Sequence, residues 1–412
     1  MLKKSHVFLA LFALLAVALA CANPLSGTPP KQPANVETIV AATFQALTAP
    51  APAVGITPSV PPSTGGLLSH AMYYLNNDGA GLVQVYRLEK DGKTVKQITF
   101  EPAKVDYYDV SSADGSVAYV SNNKIYTVNA DGGNRSMIVD GGPTDPNEAF
   151  VNHITVPLWS PDGQTIAYGY RGINIYSIIN GQPTQLLEDK LKTDNGVTLG
   201  EVNIPISYSP DGSKLLIKIV PLASEGGMMA VFTPGNKSLV RLADSNHSIC
   251  CSLQWTGDNN MLYGGNAAFN PFVSPGLWLV NGTSGVINSL IPSLSKQDSI
   301  LNFASNPFLA PDGQLYFFYT SQPNTQQSEV SRVPLQLVRS APDGVTNRTV
   351  LRSETYENMN ETLWALDASF VIIAITSNPD IYLGGAAQLV YTDGKKGVIS
   401  LVPFAMEMKW GP

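Results

Sequence analysis

A short turn motif recurs along the chain and constrains the fold more than any other feature. The segment Trp159–Gly163 reads Trp-Ser-Pro-Asp-Gly, and Tyr208–Gly212 reads Tyr-Ser-Pro-Asp-Gly, each followed by an apolar run. Proline presets φ for a turn, aspartate accepts hydrogen bonds from the amides of the turn, and glycine takes a positive φ. The motif therefore predicts two antiparallel strands joined by a tight turn.

The aspartate of this turn returns at nearly regular intervals of 48, 49, 47, 54 and 55 residues. The six positions are Asp114, Asp162, Asp211, Asp258, Asp312 and Asp367. Each period continues with further apolar segments, such as residues 124–128 in the first one, and so accommodates four strands. A repeat of this length with four strands is typical of a β-propeller blade. We interpret the six aspartates as structural turn residues, not as metal ligands or catalytic acids.

The two ends of the chain complement each other. Residues 405–412 read as an inner strand that stops where the turn would begin, whereas residues 67–100 supply three strands without an inner strand. The sequence thus predicts an all-β fold, a seven-bladed β-propeller of four-stranded antiparallel blades closed by a blade shared between the two termini. Closure of this kind removes exposed sheet edges. The other blade cores are predicted at residues 106–140, 157–189, 205–244, 251–292, 303–353 and 361–404.

The repeats resemble a known family. Ser-Pro-Asp-Gly followed by an apolar strand, together with Ile-Tyr-Thr-Val-Asn-Ala-Asp-Gly-Gly-Asn at 125–134, is similar to the WD40-like repeat of the TolB propeller family. The similarity extends over roughly residues 67–412 and is sharpest near Asp162 and Asp211. It implies a scaffold role at the cell envelope through protein contacts. Members of that family carry an α/β domain ahead of the repeats, whereas here we expect a disordered tether in its place.

The N-terminus has the organisation of an export signal. Lys3 and Lys4 precede an apolar run over residues 7–20, which is too short for a typical membrane span. Ala-Leu-Ala-Cys at 18–21 resembles a bacterial lipobox, so residues 1–20 are predicted to be a lipoprotein signal peptide and Cys21 the lipidated residue. An ordinary signal peptide cut nearby is the alternative. The prediction places the protein outside the cytoplasm, anchored to the membrane on the periplasmic or cell-surface side.

The next segment, residues 21–66, is rich in Pro, Ala, Thr, Ser and Gly. Such a composition does not bury enough apolar surface to fold alone. We predict a largely disordered linker here, followed by a propeller domain over residues 67–412.

Longer connections, including residues 190–203, are predicted on the face opposite the Pro-Asp-Gly turns. Loops carry function more often than the scaffold does, so that face is the predicted site of ligand or partner contact. The candidate contact residues are Phe150, His153, His247, Phe269, Phe272 and Tyr356. The alternative for each of them is packing within its loop.

Several classes of chemistry are not favoured by the sequence. The net charge of −7 provides no basic stripe for nucleic acid. The sequence contains no Gly-x-Ser-x-Gly, His-Glu-x-x-His or P-loop motif, and its four histidines are dispersed. We predict no catalytic residue, no metal and no cofactor. Whether Cys250 and Cys251 form a disulfide stays open.

The sequence favours a non-catalytic binding or scaffold protein at the cell envelope, with a protein or an envelope polymer as its partner. One alternative is a propeller enzyme, either a lactonase or a glycan-acting hydrolase or lyase, with a site at the central channel. Such an enzyme needs acidic, His or Asn side chains where inner strands begin, and the inner strands near Ile154–Leu158 and Ile204–Tyr208 are mostly apolar. A glycan- or solute-binding lectin-like module is the other alternative.

Overall fold

The structure is a computed structural model that describes the chain in separate stretches. These are residues 66–144, 151–194, 197–222, 227–242, 252–268, 274–295, 299–325 and 332–412. The chain divides into two units, residues 1–58 and 59–412, and all described residues belong to the second. Every regular element among them is a β-strand, which confirms the all-β prediction. No helix in this part of the chain has the length and hydropathy of a membrane span.

The strands form antiparallel sheets, two of them with four strands. The first three strands are β1 (Met72–Asn77), β2 (Val83–Leu88) and β3 (Val95–Gln97). A four-stranded sheet contains β4 (Val105–Val110), β5 (Val117–Ser121), β6 (Lys124–Val128) and β7 (Ser136–Asp140). The next contains β8 (Thr155–Trp159), β9 (Thr165–Gly169), β10 (Gly172–Ser177) and β11 (Gln182–Glu188). A five-stranded sheet contains β12 (Lys190–Asp194), β13 (Val197–Tyr208), β14 (Leu215–Pro221), β15 (Met228–Thr233) and β16 (Ser238–Arg241).

The C-terminal half continues the pattern. Four successive strands are β17 (Ser252–Trp255), β18 (Met261–Asn266), β19 (Gly276–Asn281) and β20 (Ile287–Ile291). The following strands are β21 (Leu294–Ser295), β22 (Ile300–Leu309), β23 (Leu315–Pro323), β24 (Leu335–Ser340) and β25 (Thr349–Tyr356). A bridge between Asn266 and Ala304 joins these nine strands into one sheet. The last strands are β26 (Met359–Trp364), β27 (Phe370–Ile375), β28 (Gly385–Tyr391) and β29 (Ile399–Trp410).

Strand β29 joins the C-terminal strands to the N-terminal ones. Its first half pairs with β28, where Ile399 lies opposite Leu389, and its second half pairs with β1, where Trp410 lies opposite Met72. The seven strands β26, β27, β28, β29, β1, β2 and β3 therefore form one continuous sheet in that order. The N-terminal strands thus gain a hydrogen-bonded neighbour from the C-terminus.

Burial changes systematically from the first to the last strand of a sheet. The second strands are almost fully buried, as in β5 and β27, because they are covered on both faces. Such strands read as continuous apolar runs rather than as alternating ones. The outermost strands β7 and β11 are mostly exposed. Seven strands, namely β4, β8, β13, β17, β22, β26 and β29, are called the first strands here. They are partly buried and border a shared interior space.

One predicted loop is instead regular structure. Most of residues 190–203, interpreted above as a loop, lie in strands, because β12 pairs with the start of β13. Alternation of apolar and polar residues, as in Lys190-Leu191-Lys192, favours a strand. Gly200 lies close to the carbonyl of Lys190 at a φ of 131°, where a side chain would clash. The earlier interpretation as a loop was wrong because it did not weigh this alternation.

The Pro-Asp-Gly turns share one local geometry. In the first sharp copy, the amide of Gly163 donates to the carbonyl of Ser160 at 2.9 Å. Oδ1 of Asp162 accepts hydrogen bonds from the Ser160 hydroxyl at 2.6 Å and from the Gln164 amide at 3.0 Å. Both bonds stabilise the ionised form and lower the pKa of Asp162. All six turn aspartates accept a bond from the amide two residues further on.

Six of the first strands carry an irregularity at a similar place. The pairing register shifts in β4, β8, β13, β22, β26 and β29. In three of these strands the shift accompanies a non-glycine residue with positive φ, namely Val156 at 21°, Asn306 at 52° and Glu407 at 53°. Bulges of this kind redirect a side chain and are frequent beside functional sites. All six of these strands contribute residues to the wall of the same interior space.

Candidate active site

A cavity of about 870 Å³ lies among the first strands. Its lining includes residues from all seven first strands, namely β4, β8, β13, β17, β22, β26 and β29, and a few from β18 and β24. Its volume falls within the range of ordinary ligand sites. At one end the lining includes Glu357 and the connection between β27 and β28, which contributes Tyr382 and Leu383. These connections lie at the opposite ends of the strands from the Pro-Asp-Gly turns.

Glu361 is fixed on the wall of this cavity by two backbone amides. Its Oε1 accepts a hydrogen bond from the Gly384 amide at 3.0 Å, and its Oε2 accepts one from the Met408 amide at 3.2 Å. Burial raises the pKa of Glu361, and the two amides oppose that rise because they favour the ionised form. The carboxylate is thus held in one position.

Glu407 lines the same cavity from β29. Its left-handed φ of 53° sits where β29 shifts register against β1, and its carbonyl accepts a 2.5 Å hydrogen bond from the Tyr108 hydroxyl. Burial raises the pKa of the Glu407 carboxyl, Lys409 opposes this, and the negative charge of Glu361 adds to it. Two carboxyl groups with raised pKa values therefore share one cavity, a pattern that is frequent at acid–base sites.

An ion pair lies further along the cavity wall. Nζ of Lys409 lies 2.8 Å from Oδ1 of Asp109, and Oδ2 of Asp109 accepts the amide hydrogen of Trp159 at 2.7 Å. Lys409 also lies 5.5 Å from the centre of the Tyr108 ring. Lys409 and Ile206 line both this cavity and a second one of about 490 Å³. The two cavities are therefore neighbouring parts of one interior space.

The rim of the larger cavity is braced by Arg332 and Asn360. The Arg332 guanidinium donates to Oδ1 of Asn360 at 2.8 Å and to the Ile381 carbonyl at 2.6 Å. Nδ2 of Asn360 donates to the carbonyl of Gly384 at 2.6 Å. Arg332 also lies 4.4 Å from the centre of the Tyr382 ring, which is 58% exposed. The rim thus presents an open aromatic ring on a loop anchored by hydrogen bonds.

Among the described residues, no group of three or more His, Cys, Asp or Glu side chains has the arrangement of a metal site. The two glutamates can transfer protons, and Asn306, Asn360 and Arg332 can form hydrogen bonds at the wall and rim of the cavity.

The structure describes two of the six predicted contact residues. His153 lines a separate cavity of about 430 Å³ with Tyr170, Arg171 and Lys218. Tyr356 is only 4% exposed and packs edge-on against Phe318, so its side chain belongs to the core. Predictions for Cys21, Phe150, His247, Cys250, Cys251, Phe269 and Phe272 fall outside the described residues.

Sequence reasoning missed Glu361 and Glu407. A signal was present for Glu407, which interrupts an apolar run in Ala-Met-Glu-Met-Lys, but not for Glu361, whose neighbours Asn360 and Thr362 are polar. The argument against an enzyme rested on the strands around residues 154–158 and 204–208, which are the apolar part of the wall. The acidic part of the wall comes from β26 and β29, which lie near the C-terminus.

Comparison with known proteins informs the fold. No family model matches the sequence, and no curated protein matches it. Among solved structures, a prolyl endopeptidase aligns with a TM-score of 0.52 at 14% identity, covering 83% of this chain and 49% of that one. An oligogalacturonate lyase in complex with manganese aligns with a TM-score of 0.50 at 9% identity, covering 82% and 86%. A puromycin-hydrolysing peptidase of Mycobacterium tuberculosis aligns with a TM-score of 0.50 at 13% identity, covering 81% and 53%.

The fold is propeller-like. The propeller neighbours also include TolB of Acinetobacter baumannii, at a TM-score of 0.37 and 16% identity over 71% of this chain and 69% of that one. A putative TolB from Agrobacterium tumefaciens aligns at 0.38 and 13% identity, over 68% and 88%. The chain spans about half the length of the peptidases that it matches.

One prediction from the sequence is corrected by these comparisons. The propeller neighbours with TM-scores of 0.50 and above include an endopeptidase, a lyase and a hydrolysing peptidase. The prediction that this chain is not an enzyme is therefore wrong. Identities of 9–14% relate the folds alone, so the chemistry has to be argued from the cavity.

Proposed function

We propose that this chain is a glycan-acting enzyme whose active site is the cavity lined by Glu361 and Glu407. One observation carries the proposal: two carboxyl groups with raised pKa values border the same 870 Å³ cavity. Glycoside hydrolysis is performed by such a pair of carboxyl groups, one of which donates a proton while the other acts as base or nucleophile.

The different surroundings of the two glutamates assign their roles. Glu407 is the proton donor, since burial and the neighbouring negative charge favour its neutral form. Glu361 is the base, since two amides hold its carboxylate and favour the ionised form. Glu407 protonates the glycosidic oxygen as the bond to the anomeric carbon breaks. Water attacks that carbon and loses a proton to Glu361, which gives two shorter sugar chains.

The rim provides features that suit a sugar substrate. The exposed Tyr382 ring offers a flat apolar surface against which the apolar face of a sugar ring can stack. Asn306 and Arg332 add hydrogen-bonding groups on the same cavity. The similarity in fold to an oligogalacturonate lyase supports a glycan as the class of substrate, and the predicted envelope-polymer partner then becomes the substrate.

We also propose a complete seven-bladed architecture for the domain. All seven first strands contribute residues to the cavity wall, and β29 pairs with both β28 and β1. Both observations support a seven-bladed propeller over residues 67–412, closed by a blade that the two termini share. The six turn aspartates support six blades, and the shared blade is the seventh.

The proposal also places the enzyme outside the cytoplasm. Residues 1–20 act as a lipoprotein signal peptide, Cys21 carries the lipid, and residues 21–66 form a flexible linker to the domain. This part rests on the sequence pattern alone. Mass spectrometry of the mature N-terminus tests it, because an unmodified N-terminus at another residue contradicts the anchor.

The activity is tested by incubating the purified chain with envelope polysaccharides and with soluble oligosaccharides, including oligogalacturonides. We expect new reducing ends that take up heavy oxygen from labelled water. Glu407→Gln and Glu361→Gln should lose this activity, whereas Glu354→Gln, an exposed carboxylate paired with Arg352, should keep it. Product ends that are unsaturated and absorb ultraviolet light would show that the reaction is an elimination and not a hydrolysis. Binding of sugars without any cleavage would overturn the enzyme assignment.

A further inference from the structure

Three aromatic residues on consecutive first strands border the second cavity, which measures about 490 Å³. They are Trp159 at the end of β8, Tyr208 at the end of β13 and Trp255 at the end of β17. Each directly precedes a turn of the repeat. This cavity therefore lies at the turn end of the interior space, away from Tyr382.

In two other strands, the aromatic residue at this repeat position is held within the scaffold instead. Trp364 stacks on Phe308 at 5.6 Å with an interplanar angle of 10°, and its indole N–H donates to the Asn306 carbonyl. The indole N–H of Trp410 donates to the Trp364 carbonyl at 2.7 Å. These two rings are therefore fixed parts of the scaffold.

Trp159 and Trp255 differ from that pair. Their indole nitrogens are buried, and within the described part of the chain neither has a hydrogen-bond acceptor. Both rings are only partly buried, and both border the cavity. A buried indole N–H normally finds an acceptor. Because neither of these two does so among the described residues, no such hydrogen bond fixes the rings in place.

Polar groups complete the cavity wall. The Asp109–Lys409 ion pair borders it, and so do Gln254 and Ser207. A sugar ring has an apolar face, formed by its C–H groups, and a rim of hydroxyl groups. An aromatic wall beside a carboxylate, an ammonium group and an amide matches both parts of such a ligand.

We infer that the cavity bordered by Trp159, Tyr208 and Trp255 is a second sugar-binding site, at the opposite end of the interior space from the Tyr382 rim. The inference rests on the proposed function in taking a glycan as the ligand. It adds that the substrate is an oligosaccharide long enough for one part to bind at each end, since Lys409 and Ile206 border both cavities.

Binding is tested in the full chain carrying Glu407→Gln, so that cleavage does not interfere. The probes are oligogalacturonides and chitooligosaccharides, each in a short and a long form, and the readouts are titration calorimetry and tryptophan fluorescence. We expect long chains to bind more tightly than short ones. Trp159→Ala and Trp255→Ala should each weaken binding of the long form about tenfold, equivalent to the loss of one stacking contact.

Two further variants keep the result interpretable. Trp255→Phe retains an aromatic face and should restore most of the affinity, which separates stacking from misfolding. Phe100→Ala removes an aromatic side chain that is 74% exposed and lies outside the cavity lining, and it should leave affinity unchanged. Equal affinity of the two Trp→Ala variants and the parent chain would overturn the inference, even if wild-type cleavage is observed. Weakened binding in a chain that never cleaves would retain this site and reject the proposed enzyme.

Discussion

Lys409 and Asp109 form an ion pair at 2.8 Å although 300 positions separate them in the sequence. The pair connects β29, the last strand, to β4 on the wall of the interior space. The side chains are 28% and 16% exposed, so water screens the pair only in part. Lys409 also opposes the rise in the pKa of Glu407, which links the closing strand to the acid–base pair.

Glu407→Gln should lower the cleavage rate by about 100-fold or more, the usual contribution of a general acid. In the wild type, the neutral form of Glu407 is the active one, and its pKa is raised above 4.5. Activity should therefore fall as the pH rises through that raised pKa. The measurement is the pH dependence of kcat/KM. Retention of the same alkaline limb in Glu407→Gln would assign that limb to another group.

Glu407→Gln should also raise the thermal stability at neutral pH. A carboxyl group whose folded-state pKa is raised stabilises the fold fully below its unfolded-state pKa, and this contribution is lost as the pH rises through the folded-state pKa. At neutral pH the wild type therefore lacks the stabilising contribution that it has at acidic pH, whereas the amide does not titrate. Melting curves of both proteins should differ at pH 7 and converge at acidic pH. A constant difference across this range would contradict the argument.

Lys409→Met should move the alkaline limb of the activity profile to higher pH. The substitution removes the cation that lowers the pKa of Glu407, so the acid stays protonated over a wider range. Lys104→Met is the matched control, because Lys104 forms an ion pair of the same 2.8 Å length with Asp106 but does not border the cavity. The control should leave the pH profile unchanged. An unshifted profile in Lys409→Met would remove Lys409 from the site.

Gly163→Ala should destabilise the fold by about 1–2 kcal/mol, the cost of placing an L-residue in the left-handed region. Gly163 has a φ of 68°, and a Cβ atom there would lie 3.1 Å from Cβ of Ala113 in the preceding turn. Gly79→Ala is the control, since its Cβ meets no atom within 4 Å. Denaturant unfolding of the two variants gives the comparison. Equal stability would mean that the turn relaxes at no cost.

Removal of residues 406–412 should lower the thermal midpoint sharply and promote aggregation. The deletion takes away the partner of β1, where Trp410 pairs with Met72, and leaves an unpaired strand edge. Removal of Pro412 alone, which lies beyond β29, is the control and should have little effect. Light scattering during a thermal ramp measures both properties. A truncated chain that melts like the wild type would argue against the shared blade.

The sequence by itself determined the β-strand character and the repeat. Proline, aspartate and glycine act through their own backbone preferences, so the turns at Asp162 and Asp211 were readable from local chemistry. The apolar runs after each turn indicated strands. The hairpin at residues 190–203 was also readable locally, from alternation that the interpretation as a loop overlooked.

The tertiary structure decided what the first strands enclose. Glu361 and Glu407 are 46 positions apart on β26 and β29, and neither belongs to a motif, so only strand pairing brings them to one cavity. Burial raises the pKa of both carboxyl groups, and the charge of Glu361 adds to the rise for Glu407; both causes are properties of the packed chain. The same holds for Trp159 and Trp364, which occupy one repeat position. Their different neighbours, not their sequence context, place Trp159 beside a cavity and Trp364 in the core.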